Sequence, residues 1–143
     1  MKLDFTISEF NITGQPVPQE IADAILEYHI LVMQPIRNAI NAPIHVSLRS
    51  GYRPVWYEKE QGRTGRSQHT YANGKGATDW AAKDLDALQD LMLKHTPYTR
   101  ICRYPTFIHA DYKEIEGPRQ YFRSDGGSWT FIKHLDNPTD LQP

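Results

Sequence analysis

The stretch GATDWAAKDLDALQDLMLKHTPYTRICRYPTFIHADY, residues 76–112, decides the fold class. It opens on Gly76-Ala-Thr-Asp-Trp80, a short strand candidate. From Ala82 to His95 the apolar residues Leu85, Leu88, Leu91 and Met92 share one side of a helix, which Thr96-Pro97 ends. Two runs of strand character follow, Thr99–Arg103 and Phe107–Tyr112, with a Pro-containing turn between them. A helix set among short strands, with tight turns joining the later strands, predicts an α+β fold with an antiparallel sheet and flanking helices.

Working outward, Gln120–Arg123 and Trp129–Lys133 read as two further strands, and the polar tail 136–143 reads as loose. Upstream, Pro43–Leu48 alternates and carries β-branched residues, which predicts a strand. Between Pro18 and about Ile40, apolar residues recur at Ile21, Ala24, Ile25, Tyr28, Leu31, Val32 and Ile36, a helical spacing. Pro18 suits a helix start, and Pro35 is expected to kink or interrupt that helix. Phe5–Phe10 alternates and reads as a short extended segment. Residues 49–75 show no sustained period and read as a long loop, the kind of segment that more often carries function than decoration.

The chain's 143 residues suit one domain, 1–135, followed by the tail 136–143. A hydrophobic fraction of 39% with 23% charged residues fits a soluble globular chain and excludes disorder. The formal charge is −1, so no global basic field points to nucleic acid. No apolar run approaches the roughly 18–20 residues of a membrane span, and the N-terminus lacks the apolar core of a secretion signal. A single cysteine, Cys102, excludes an intramolecular disulfide and reads as a small buried hydrophobe. Charge is nonetheless uneven. Residues 1–48 carry two basic and five acidic side chains, whereas 49–66 carry Arg49, Arg53, Lys59, Arg63 and Arg66 against Glu58 and Glu60. A basic loop beside a site would steer anionic ligands to it.

Of six histidines, His29, His45, His95 and His134 take structural or surface readings. His69 and His109 keep different company. His69 stands in Ser67-Gln68-His69, ten positions before Asp79, and His109 stands in Phe107-Ile108-His109-Ala110-Asp111. Two imidazoles and one carboxylate are the ligand types of a catalytic zinc site, which keeps a fourth position for water. The excess positive charge of such a site lowers the pKa of that water to ~7 and attracts a carboxylate-bearing substrate.

The words Ser50-Gly51-Tyr52-Arg53-Pro54, Ser67-Gln68-His69, Ala77-Thr78-Asp79 and Phe107-Ile108-His109 occur in that order. With them come Phe5-Thr-Ile-Ser-Glu-Phe10 and Pro35-Ile-Arg37. Together they resemble the zinc D-Ala-D-Ala carboxypeptidase family of peptidoglycan peptidases, in its short single-domain branch, over about residues 5–123. The resemblance implies the fold shared with the Hedgehog signalling domain. It also implies one zinc ion on His69, Asp79 and His109, with Arg53 holding the substrate carboxylate or the developing oxyanion. Arginine suits that task because its planar fork grips two oxygens at once.

Two departures from the family stand out. Its Asp usually follows the Ser-x-His histidine by seven positions, not ten, so Tyr71–Lys75 holds an insertion at the rim of the site. Several branches also place an acidic base three residues before the last histidine, where this chain has Thr106. Asp111 projects with His109 from one strand face and is either that base or the residue that orients His109. Glu114 and Glu116 are further base candidates, and Trp56 and Tyr57 either pack or line a cleft. The expected activity is hydrolysis of stem-peptide or cross-link bonds by a monomer, with zinc-bound water as nucleophile and no nucleic-acid partner. A non-catalytic, metal-stabilised peptidoglycan-binding module is the alternative. The wall lies outside the cytoplasm, so the missing signal suits a protein released by lysis or a channel, as a phage endolysin is.

Overall fold

The computed structural model describes residues 2–47 and 50–141. Leu48 of the expected strand, Arg49 of the basic loop and the last two residues of the tail lie outside the described residues. The chain runs through a 3-10 turn (Ile7–Phe10), helix α1 (Gln19–Ile25), a π turn (Leu26–Ile30) and α2 (Leu31–Ile40). Then come β1 (Ile44–Val46), α3 (Val55–Glu60), a second 3-10 turn (Gln68–Thr70), β2 (Ala77–Ala82) and α4 (Leu85–His95). β3 (Arg100–Arg103), β4 (Ile108–Asp111), β5 (Arg119–Arg123) and β6 (Thr130–Leu135) complete it.

The α+β class holds, but the sheet is mixed. Its six strands lie in the order β1-β2-β4-β3-β5-β6, antiparallel throughout except for β3 and β5, which are parallel. The expectation of a wholly antiparallel sheet fails there for a topological reason. β3 and β4 form a hairpin, and residues 112–118 then cross the end of β3 to lay β5 on its far side. Crossing one strand takes only a short connection, because the strands are about 5 Å apart.

Strand alternation splits the sheet into two faces. Trp80, Ile101, Ile108 and Ala110 belong to the buried core with Ile30, Met33, Leu88 and Met92 from the helices. Asp79, Cys102, His109 and Asp111 occupy the alternate positions. Phe5 and Phe10 set their rings edge-on to Trp80, with centroids 5.3 and 5.7 Å away. The segment joining them is a 3-10 turn and not extended, because the Thr6 N–H donates to the Glu9 carboxylate at 2.7 Å and closes the turn.

The long first helix departs from α geometry at Leu26–Ile30 and continues through Pro35, so the interruption comes earlier than the proline. His29 lies in that π turn and is fully buried. Burial pushes its ring down to about 3, and the neutral imidazole bonds the Tyr98 hydroxyl and the Lys75 carbonyl, both at 2.8 Å. The long loop is not structureless. It contains α3, and the fully buried Glu58 on that helix anchors it. The chain after Asp136, expected to be loose, is tied back: Thr139 N–H donates to the Lys94 carbonyl at 2.9 Å, and Arg119 donates to the Asp136 carbonyl. Among the described residues no helix is long and apolar enough to cross a membrane.

Gly51 marks where the Ser-Gly-Tyr-Arg word meets the N-terminal turn. A Cβ there would stand 2.5 Å from the Phe10 carbonyl oxygen, and Tyr52 N–H donates to that same oxygen at 2.7 Å. Backbone against backbone cannot yield as a side chain would. Gly51→Ala is therefore expected to destabilise the fold by about 1–3 kcal/mol, by the usual cost of overpacking. Urea unfolding measures this, and an unchanged midpoint would show that the Phe10 turn gives way freely.

Candidate metal centre

Two of the three expected ligands meet through sheet register. Asp79 on β2 lies directly opposite His109 on β4, so their side chains leave the sheet side by side. His109 Nδ1 is 2.9 Å from Asp79 Oδ1. Ala77 and Ala81 flank Asp79 on its face of β2 and leave room above it. The 3-10 turn Gln68–Thr70 fills that room and brings His69 Nε2 to 3.4 Å from Asp79 Oδ1. Ser67 opens the turn by accepting the His69 N–H at 3.2 Å.

The outer nitrogen of each imidazole is fixed. His69 Nδ1 lies 2.9 Å from the Gly51 carbonyl, an acceptor only, so Nδ1 donates to it and Nε2 is the nitrogen that faces the centre. His109 Nε2 likewise donates to Asp111 Oδ2 at 2.8 Å, which turns Nδ1 inward. The three inward atoms lie within 4.8 Å of one another. Neighbouring ligands of a tetrahedral ion with bonds of about 2.0–2.1 Å stand roughly 3.3 Å apart, close to the spacing seen here. His69, Asp79 and His109 are all buried yet line a cleft of about 320 Å³. Donor type, spacing, outer hydrogen bonds and a place in the cleft wall all fit a divalent ion.

Electrostatics point the same way. Burial alone would raise the Asp79 carboxyl, but His69 and His109 hold it below the ordinary range. Burial alone would lower His109, but the Asp111 and Asp79 carboxylates outweigh it and push the ring up to about 9. Asp111 is held low against its own burial by His109 and Arg100. Without an ion, His109 is therefore an imidazolium between two carboxylates.

The two roles open to Asp111 call for different surroundings. It is wholly buried and does not line the cleft. Its oxygens accept from Arg100 Nε and Nη2, Lys113 N–H and His109 Nε2. A carboxylate with that many donors has no lone pair left for a water in the cleft, an arrangement that suits the orienting role better than that of a base. Glu114 and Glu116 are exposed and absent from the cleft walls. Thr106 also lies outside those walls.

Arg53 does line the cleft, and its N–H donates to the His69 carbonyl at 2.9 Å, tying it to the metal-site turn. Trp56 is half exposed and does not reach the cleft; Trp80 is core. Burial pushes the Cys102 thiol up to about 12, as befits a packed side chain. The sequence reading missed the aromatic walls. Trp129 sets its ring 5.1 Å from that of His109, and its indole N–H donates to the Tyr104 hydroxyl at 2.6 Å. Tyr104 stacks on Phe107 at 4.4 Å. These residues come from turns and strand ends, and no local pattern announces them. Comparison with family models, curated proteins and solved structures returns no match for this chain.

The metal-free protein should titrate in two directions. The His109 contribution is full below the unfolded value of 6.5 and is lost as pH rises through about 9. The Asp79 and Asp111 contributions are full above their unfolded value of 3.8 and are lost as pH falls. His29, with its ring pushed down to about 3, adds a loss of stability as pH falls below 6.5. The apoprotein Tm should therefore peak near pH 6.5. Zinc uptake at pH 7 should release about one proton per ion, that of His109. Calorimetry in buffers of different ionisation enthalpy counts it, and zero release would contradict a protonated His109.

Proposed function

We propose that the protein is a zinc-dependent peptidase acting on peptidoglycan stem peptides or their cross-links. The observation that supports this most is that the buried His69–Asp79–His109 cluster borders a cleft that Arg53 also lines. A zinc ion held by those three residues would supply Lewis acidity toward a peptide carbonyl and an acidified water at neutral pH.

The chain's own residues divide the remaining work. Asp111, clamped by Arg100, keeps the His109 ring turned so that Nδ1 faces the cleft. The Gly51 carbonyl does the same for His69. Arg53 offers a charged, planar donor to a peptide carboxylate or to negative charge developing on the scissile carbonyl. Trp129, Tyr104 and Phe107 line the cleft with aromatic surface, and a ligand seated against them would strengthen the Arg53 interaction by displacing water.

One observation favours the alternative, a non-catalytic module that binds wall peptides through its metal. Among the described residues no carboxylate apart from Asp79 lines the cleft, so the proton-transfer group that a hydrolase uses has no residue of its own among those walls. Digestion of purified muropeptides separates the two readings by mass spectrometry. The peptidase reading expects cleavage that a chelator abolishes, that zinc restores, and that His109→Ala lacks. Zinc and muropeptide binding without new products selects the binding module.

A further inference from the structure

We propose that Glu58 is a positioning residue, fixing the Arg53 guanidinium so that its Nη edge is the one offered to a ligand carboxylate. The inference rests on the reading of Arg53 as the anion-holding group of the cleft. Glu58 lies on α3, five residues after Arg53, and its side chain is 1% exposed. Its Oε2 accepts from Arg63 Nη1 at 2.7 Å. The other oxygen, Oε1, is buried with no hydrogen-bond partner among the described residues and lies 3.6 Å from Arg53 Nε, which is itself buried and likewise lacks a hydrogen bond there. Two orphaned atoms of opposite charge therefore face each other just beyond bonding distance.

A guanidinium can take a carboxylate side-on through Nε and one Nη, or end-on through both Nη groups. Glu58 occupies the Nε side and so leaves the end-on mode to a ligand. The remaining tethers agree with that orientation. The Arg53 N–H is fixed to the His69 carbonyl at 2.9 Å, and Nη2 reaches Ser67 Oγ only at 3.4 Å, a weak bond that a ligand can replace. Arg63, half exposed, clamps the far side of Glu58 through its side chain, and its N–H donates to the Glu58 carbonyl at 2.9 Å. A buried carboxylate with two arginines is a rigid support, because neither its charge nor its position relaxes cheaply. Glu58 touches no ligand; it acts through Arg53.

The test uses the zinc-loaded protein with the dipeptide N-acetyl-D-Ala-D-Ala and its C-terminal amide, read by hydrolysis and by NMR titration. Glu58→Gln is expected to weaken binding of the acid and raise its KM by about tenfold, with kcat nearly unchanged. Binding and turnover of the amide, and zinc affinity, should stay at wild-type values. A residue that merely held the fold together would depress both peptides alike. Glu58→Asp, which keeps the charge but withdraws it by one methylene, should fall between, and it carries the test if Glu58→Gln fails to fold. Wild-type acid binding in a folded variant, equal losses on acid and amide, or no acid binding by the wild type would each overturn the proposal. Binding that depends on Glu58 with no hydrolysis would sink the peptidase reading alone.

Discussion

The pairing of Asp79 with His109 across β2 and β4 is the constraint on which the rest of the molecule depends. Side chains alternate strictly along a strand, so a slip of one residue would turn one of them into the apolar core and leave the other alone. Their core-side neighbours hold the register. Trp80 and Ile108 are also paired across these strands, and both are fully buried. The hydrophobic side of the sheet thereby sets the geometry of the polar side. At the head of β2, Gly76 sits under the Tyr71 ring, where a Cβ would meet ring carbons at 2.3 Å. That close approach lets the Tyr71–Lys75 loop fold down against the head of β2, between His69 and Asp79 in the chain.

Burying this much charge is costly unless each group has an opposite neighbour. Here the groups alternate in a line. Arg100 grips Asp111, Asp111 accepts from His109, and His109 and His69 flank Asp79. Trp129 lies over the Arg100 guanidinium at 4.6 Å, capping the line with an aromatic face. The same indole forms part of the cleft wall, so the residue that encloses the charge line also borders whatever enters the cleft. That double contact explains why a residue on the β5–β6 connection belongs to a centre built on β2 and β4.

The legible parts of the sequence are those whose signal is local. β2, β4 and α4 were readable from periodicity to within three residues: Thr96-Pro97 stops α4 as read, while its start, read at Ala82, falls at Leu85 behind the Asp84 cap. The three candidate ligands were readable because each stands in a short word. The 3-10 turn at Ile7–Phe10 was not, because an alternating pattern over so few residues fits either state until tertiary packing decides. α3 was hidden by its length and by a buried glutamate, a residue type that sequence patterns assign to solvent. The parallel β3–β5 pair depends on where a short connection crosses, and composition carries no trace of that. Both roles of Asp111 were compatible with its position two residues from His109. Only the Arg100 clamp, from a strand beside it in space, favours the orienting one.

This division follows from where the parts sit. Asp79, His109 and Asp111 stand on central strands, where hydrogen bonds on both sides fix the backbone, and precise placement of donor atoms needs that rigidity. The cleft walls come from turns and strand ends, which tolerate sequence change and so decide what ligand is accepted. Arg53 belongs to the second class by chain position yet is held like the first. Its main chain is bonded to the His69 turn and its guanidinium is backed by the buried Glu58. A loop arginine with such support has little rotamer freedom left to lose on meeting an anion, which is why it can discriminate by geometry as well as by charge.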